Sequence, residues 1–598
     1  MRSVRSIYVN CASRFNSLPN NRGQPGGVAP TGCAITSVSS SRILNKLPSL
    51  SDPTDFARLV GQRPMNTLHC LLLAVLMCGF SFAQEPSAVP SSTTTQSSIQ
   101  SQDSGQSLAD MARKLRKDHS EETRMTQEDA KKLFTAVDRI SAFASEDSGF
   151  PLRTTIKRRV VSPEEVEKAS RAKMARDDYS ERFAVSELSM KKFGLLPRDF
   201  NLREFLVKVN RKEIAGYYDD ETKTISMVNT IPLEQQEAVL AHELTHALQD
   251  QNYDLHTWAQ LGNSKNDRGV VADGSDEIRA ARRAVVEGQA SVVFVDYLLA
   301  RAGRSLQNTP GLIYRMEDPI VKAPADSQML HDAPMILRAE GTFPYREGLI
   351  FEGELLQAGG KQMAFAGAFA SPPRNTHEIL HPKAYLEREK LSPVVLPDVR
   401  ILLAGKYEVF DSGSIGELDV KALFWQFGTR TFADDLSKSW QGGSYVTLKH
   451  EGATPSSTAD LAFLYVSRWS STQAAQRFVK FYASSLAKRY QSPTPEQADS
   501  CAGNECATSS IQVLTEEGEV NIRQWPDNTV VVSEGFDKDT AATLNNAARV
   551  AGRKGSRAWV APEAELGMRF YDLPAFRKVQ QGVGEELLQS VGAGLSTR

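Results

Sequence analysis

From Leu233 to Gln251 the chain runs without a proline or a glycine, and the segment opens after Thr230, which can cap, and Pro232, which suits a first turn. Those are the start signals and the uninterrupted body of a long helix. Leu240, Leu244 and Leu248 recur at four-residue spacing and mark one face for a core. His242 and His246, also four apart, sit one above the other about half a turn away, with Glu243 beside them. Two imidazoles so placed can share a metal ion, and the carboxylate between them can act as a general base.

His-Glu-x-x-His is weak on its own, and this chain repeats it at His377-Glu378-Ile379-Leu380-His381. The second copy follows Pro372-Pro373 and runs into Pro382, so at most one short turn of helix fits between the prolines. It reads as a capped turn or connector, and the first copy as the metal site.

A catalytic zinc needs a third protein ligand and an open fourth position. Glu287 is the candidate, in Ala284-Val285-Val286-Glu287-Gly288-Gln289-Ala290, on a helical stretch from about Asp276 to Ala300. An acid in so apolar a run needs a partner if it is buried, and a metal is one. The competing partners are Arg282 and Arg283 on the same helix. Gly288 removes a side chain where another helix can approach.

This pattern resembles the gluzincin branch of zinc metallopeptidases. More narrowly, Gly216-Tyr217-Tyr218-Asp219, His242 to Asp250, Phe343-Pro344-Tyr345 with Gly348, and Ile379 to Pro382 are similar to a set of uncharacterised exported bacterial metallopeptidases, over about Ile214 to Leu386. The resemblance implies His242, His246 and Glu287 as ligands of one zinc per chain and Glu243 as the base. It implies no catalytic part for Ile379 to Pro382. Gluzincins place an acid four residues after the glutamate ligand to orient the first histidine; here Ser291 stands there. The metzincin pattern fails at Gln249 and Asn252. Tyr345 and Arg346 are the candidates for stabilising an oxyanion, beside ordinary core or surface roles.

Ile214 to Tyr218, a turn at Asp219 to Thr222, and Lys223 to Val228 predict a β-hairpin ahead of the active-site helix. Zinc peptidases commonly hold an extended substrate against such an edge strand, which would make Gly216 and Tyr217 substrate contacts. A purely structural hairpin is the alternative.

Arg and Lys together number 70 against 72 Asp and Glu, a formal net charge of −2, so nothing in the charge argues for nucleic acid. After residue 90 no apolar run is long enough to span a membrane. Residues 65–83, with the apolar Leu71 to Met77 and then Ser81-Phe82-Ala83, have the layout of a secretory signal. Residues 1–64 read as an extension from a start codon assigned too early. Residues 84–108 form a Ser, Thr and Gln-rich linker. Cys501 and Cys506 close a small loop and predict a disulfide, as suits a periplasmic or secreted protein.

The expectation is an α+β protein: a zincin-like, mainly helical catalytic region over 109–391 with a hairpin before the active-site helix, and a small α+β domain over 392–598. The helical stretch 109–210 is expected to be a lobe of the enzyme rather than a pro-segment. The expected function is an exported zinc-dependent peptidase acting on peptides or proteins. The alternatives are an inactive zincin-fold scaffold of the envelope, and a zinc amidase acting on a non-peptide amide.

Overall fold

The computed structural model describes residues 125–230, 233–260, 275–314, 328–391, 394–496 and 507–551. The extension 1–64, the signal 65–83, the linker 84–108, Pro232, Cys501 and Cys506 lie outside the described residues. The fold is mixed α+β, and among the described residues no helix is long and apolar enough to cross a membrane.

Five helices come first: α1 (Gln127–Thr135), α2 (Val137–Ser148), α3 (Pro163–Met174), α4 (Asp177–Phe193) and α5 (Leu202–Glu213). Thr126 and Ser162 open α1 and α3 with reciprocal capping boxes, and Asn201 caps α5. Among them runs a strand that the sequence pattern does not reveal, β1 (Lys157–Val161). Lys157, Arg158 and Arg159 are all exposed, so no alternation of polar and apolar residues marks it. It becomes a strand by pairing in parallel with β3 (Thr224–Val228), whose other edge pairs antiparallel with β2 (Gly216–Asp219). The β2–β3 hairpin stands where the sequence predicts it. Asp219 Oδ1 accepts the Glu221 and Thr222 amides in its turn, and Lys223 takes a left-handed φ of 55° to close it.

Three long helices follow: α6 (Leu233–Tyr253), α7 (Ser275–Ala300) and α8 (Met335–Gln362). Leu240, Leu244 and Leu248 are buried as their spacing predicts. The opposite side of α6 is not an open cleft wall, because α7 packs over it, β2 lies beside it and Tyr345 of α8 reaches His242, leaving His242 and Glu243 almost wholly buried. The crossing of α7 and α8 is set by glycine. A Cβ on Gly288 would stand 2.5 Å from the Gly348 carbonyl oxygen, and one on Gly348 would run into that of Ala284. Helix α8 ends at Gly360, with φ 67°, and continues as a π-helical turn, Met363–Gly367. The second His-Glu-x-x-His lies on α9 (Thr376–Leu380), one short capped turn, as the flanking prolines require.

The C-terminal part is built on a seven-stranded sheet whose strands stand in the order β4 (Tyr407–Ser414), β5 (Trp440–His450), β6 (Leu461–Trp469), β10 (Thr529–Phe536), β9 (Gly518–Gln524), β8 (Ser509–Thr515) and β7 (Thr494–Glu496). Its central strands are β5, β6 and β10. Helices α10 (Glu417–Phe427) and α11 (Thr472–Arg489) contribute to the core on one face, and α12 (Lys538–Val550) to that on the other. On β6, Phe463 and Tyr465 enter the first core, and Leu464 and Val466 the second. Burial on both faces explains the apolar runs Leu461–Val466 of β6 and Val530–Val532 of β10. The first core is continuous from Leu133 through α6 to Val532.

A buried charge cluster ties α4 to this sheet. Glu517, in the turn before β9 (Gly518–Gln524), accepts from Lys192 Nζ at 3.0 Å, Arg198 Nε at 2.7 Å and the Thr458 hydroxyl at 2.6 Å. Burial alone would raise its pKa; Arg198, Lys192 and Thr458 overcome that and hold it at about 2, below the ordinary 4.5. A depressed carboxylate contributes stability that is present above 4.5 and lost as pH falls from there toward 2. Glu517→Gln, which leaves Lys192 buried, should therefore cost on the order of 3–5 kcal/mol near neutrality. Urea melts of parent and variant should converge as pH drops through that window, and a gap that stays constant with pH would refute this account.

Candidate metal centre

His242 and His246 keep the four-residue helical spacing predicted for them, and Glu287 reaches them from α7. His242 Nε2 lies 3.2 Å and His246 Nε2 3.3 Å from Glu287 Oε2, and the two Nε2 atoms are 3.0 Å apart. Donors at the corners of a tetrahedron with bonds of about 2.1 Å stand about 3.4 Å apart. The three atoms thus already sit within a few tenths of an ångström of a shared coordination sphere. Arg283 stays 3.7 Å from the other oxygen of Glu287, while Arg282 turns to the Trp258 carbonyl and ring.

Proton positions decide what this triangle can hold. Gln249 Nε2 donates to the Val286 carbonyl at 3.0 Å and to Gln289 Oε1 at 3.0 Å, which aims Gln249 Oε1 at His246 Nδ1, 2.9 Å away. Gln289 is fixed in turn, its Nε2 donating to the Ala364 and Phe365 carbonyls of the π turn. The proton of a neutral His246 therefore sits on Nδ1, and Nε2 offers only a lone pair. That lone pair faces a carboxylate oxygen and a second imidazole nitrogen, an arrangement that a shared proton or a cation at its centre satisfies. Without a metal the centre takes a proton. Burial would push His246 down, but Glu287 outweighs it and holds the ring up at about 9. His242 is pushed down by its burial, against the pull of Glu287. Glu287 lies well below its ordinary value despite burial, held there by the two histidines and Arg283. The donor set, two nitrogens and one carboxylate, suits zinc.

Glu243 is buried beside the triangle. Its burial raises the carboxyl to about 7, with His246 opposing, Glu287 adding and the Tyr218 backbone opposing. Gly216 lies against it, where a Cβ would stand 3.4 Å from Glu243 Cγ. Strand β2 is thereby placed beside the centre, and among the described residues its outer edge carries no strand. Tyr218 Oη and Lys223 Nζ donate to Asp250 Oδ2 at 2.7 and 2.6 Å, which fastens the hairpin to α6. Tyr217 does not join the site. It projects from the other sheet face, packs with Val161, Val166, Ile214 and Val228, and meets Arg159 through its hydroxyl.

Tyr345, on α8, does join. Its ring centroid lies 6.3 Å from that of His242, and its buried hydroxyl, near Arg283, has no acceptor for its proton. Burial raises that hydroxyl well above its ordinary pKa, Glu287 and Glu243 adding and Arg283 opposing, so it stays a proton donor. Arg346 pairs with Glu347. Ser291 makes none of the site's contacts described above; the backbone of Ala290 lies beside His242 instead. What exposure the centre has belongs to His246, Glu287 and Arg283, each 11–12% exposed at the side chain.

Gln249 and Gln289 are the functional residues that sequence reading missed. The signal was present: Gln249 stands three residues after His246 on the same helical face. Gln249→Leu should free the His246 tautomer and weaken zinc binding roughly 10- to 100-fold in a chelator competition. Unchanged affinity in a folded variant would remove Gln249 from the site.

A family model described as a domain of unknown function, DUF8575, matches residues 406–556. No curated protein and no solved structure matches the chain. The matched segment contains none of His242, Glu243, His246 and Glu287.

Proposed function

We propose that this chain is a zinc-dependent peptidase whose centre is His242, His246 and Glu287, with Glu243 as general base. The observation that carries the reading is the convergence of three buried donor atoms within 3.0–3.3 Å, one of them fixed as a lone pair by Gln249. Zinc at such a site supplies a water acidic enough to ionise near neutrality and polarises a scissile carbonyl. A binding module has no chemical need for a buried carboxylate beside it.

The chain's own groups divide the rest of the work. Glu243, its pKa raised by burial, takes the proton of the attacking water and returns it to the leaving amine. Tyr345 donates its hydroxyl proton, which has no other acceptor, to the developing oxyanion, and its raised pKa keeps that proton in place. The free edge of β2 accepts an extended substrate by main-chain hydrogen bonds, with Gly216 leaving room close to Glu243. The zincin-like fold class and export through residues 65–83 are parts of the same proposal.

The test is zinc content and hydrolysis of casein or quenched peptides by the parent and two variants. Glu243→Gln should keep its zinc and lose at least roughly 10²-fold in kcat. Tyr345→Phe should keep zinc and KM and lose roughly 10²–10³-fold in kcat. Zinc without hydrolysis in the parent would transfer the site to a scaffold or to an amidase of non-peptide substrates. A folded parent with no zinc on these residues would refute the site.

A further inference from the structure

Outside this centre the fold assembles a second set of ligand-type side chains around the other His-Glu-x-x-His. We infer that His377, His381 and Glu417 form a second metal site, non-hydrolytic, for a zinc-like divalent ion. The inference stands apart from the peptidase reading and shares no residue with it.

Helical spacing does not create this cluster. Asn375 caps α9 by accepting from the Glu378 amide at 3.0 Å, and Pro382 ends it after Leu380, leaving His381 in an extended conformation with φ −130° and ψ 77°. The two rings nevertheless come to 4.6 Å between centroids, because both turn to one carboxylate. Glu417 opens α10, distant in sequence and buried. His377 Nδ1 lies 2.6 Å from its Oε2, and His381 Nε2 lies 3.0 Å from its Oε1. Placing Glu417 there requires Gly416, whose missing Cβ leaves the space taken by the Glu277 carboxylate. Glu277 itself accepts from the amide and hydroxyl of Thr376, one residue before His377.

The surrounding charge favours a cation over a simple ion pair. Glu378, Glu389 and Glu417 gather around His377, and Arg374 is engaged by Glu378. The second ring nitrogen of His377, Nε2, faces the Glu389 carboxylate at 3.9 Å. At that distance the carboxylate makes no hydrogen bond to the ring but adds negative charge beside it. Two imidazole nitrogens and a carboxylate suit zinc or a neighbouring divalent transition ion, not calcium or magnesium. His381, 31% exposed at its side chain, gives the ion a route in.

This site has no base. Glu378 corresponds in the motif to Glu243, yet its oxygens accept from the Arg374 amide at 2.6 Å and the Arg374 Nε at 2.8 Å. An acid so held is not free to shuttle protons. The ion would instead fasten α9 to α10, joining the helices around the first centre to the segment matched by the DUF8575 model, which contains Glu417.

Metal analysis of the full chain separates the two sites. After zinc loading and removal of loosely held ion, the parent should hold two zinc ions. His246→Gln and His381→Asn should each hold one, and zinc affinity at the second site should fall at least tenfold in Glu417→Gln. A folded His381→Asn that keeps the parent's count would overturn the inference, as would a parent with one ion that His246→Gln loses. Failure of the peptidase site alone looks different: one ion in the parent, kept by His246→Gln and lost by His381→Asn. Should His381→Asn not fold, cobalt(II) titrated into His246→Gln decides. One bound equivalent with visible d–d bands and a raised melting temperature supports the site, and no bound cobalt refutes it.

Discussion

The crossing of α7 over α8 at Gly288 and Gly348 is the constraint from which the active-site geometry follows. Both helices carry a glycine where the backbones touch, and either Cβ would meet a carbonyl of the partner helix. With that contact made, Glu287, next to Gly288, is held at the histidines of α6, and Tyr345, one turn before Gly348, is held over His242. Any side chain at the crossing would part the helices and pull the third ligand and the hydroxyl away together. Close packing leaves no slack to absorb such a shift.

What that crossing encloses is a concentration of buried ionisable groups, and their mutual arrangement makes the burial tolerable. Glu287 lies against two histidines and Arg283, His246 is oriented by a glutamine chain that ends on the carbonyls of the π turn, and Glu243 is buried beside them with its carboxyl raised by that burial. The Tyr345 hydroxyl stands apart in having no acceptor for its proton. A buried hydroxyl without an acceptor costs free energy in the resting fold. In the proposed peptidase it would gain a partner when charge develops on a substrate oxygen, favouring the transition state over the ground state.

The sequence made the helices of this centre legible because their signals are local: the capless breaks at proline, the four-residue leucine spacing, the His-Glu-x-x-His pattern and the acid in an apolar run. The hairpin before α6 was legible from its turn residues. Strand β1 was not, since its basic residues show no period and its pairing with β3 is a long-range event. The side of α6 expected to face a cleft is covered by α7 and by Tyr345 of α8, a packing that the sequence of α6 does not encode locally. Tyr217 and Tyr218 are adjacent in sequence and point to opposite faces, so a one-residue question of register decided which of them reaches α6. Gln249 was visible but was weighed only as a mismatch to another family.

The two copies of one pentapeptide show how little the pattern itself determines. In the first, a continuous helix stacks the histidines and leaves Glu243 beside them with no cation of its own. In the second, Pro382 cuts the helix, the histidines meet through Glu417, and Arg374 occupies the acid. In the proposed reading, the difference between a site that moves a proton and one that only holds an ion comes from a single proline and a single arginine. Both lie outside the five residues of the motif. The chemistry of such a motif is therefore set by its flanks, first by whether the helix continues and then by what charge is offered to its glutamate.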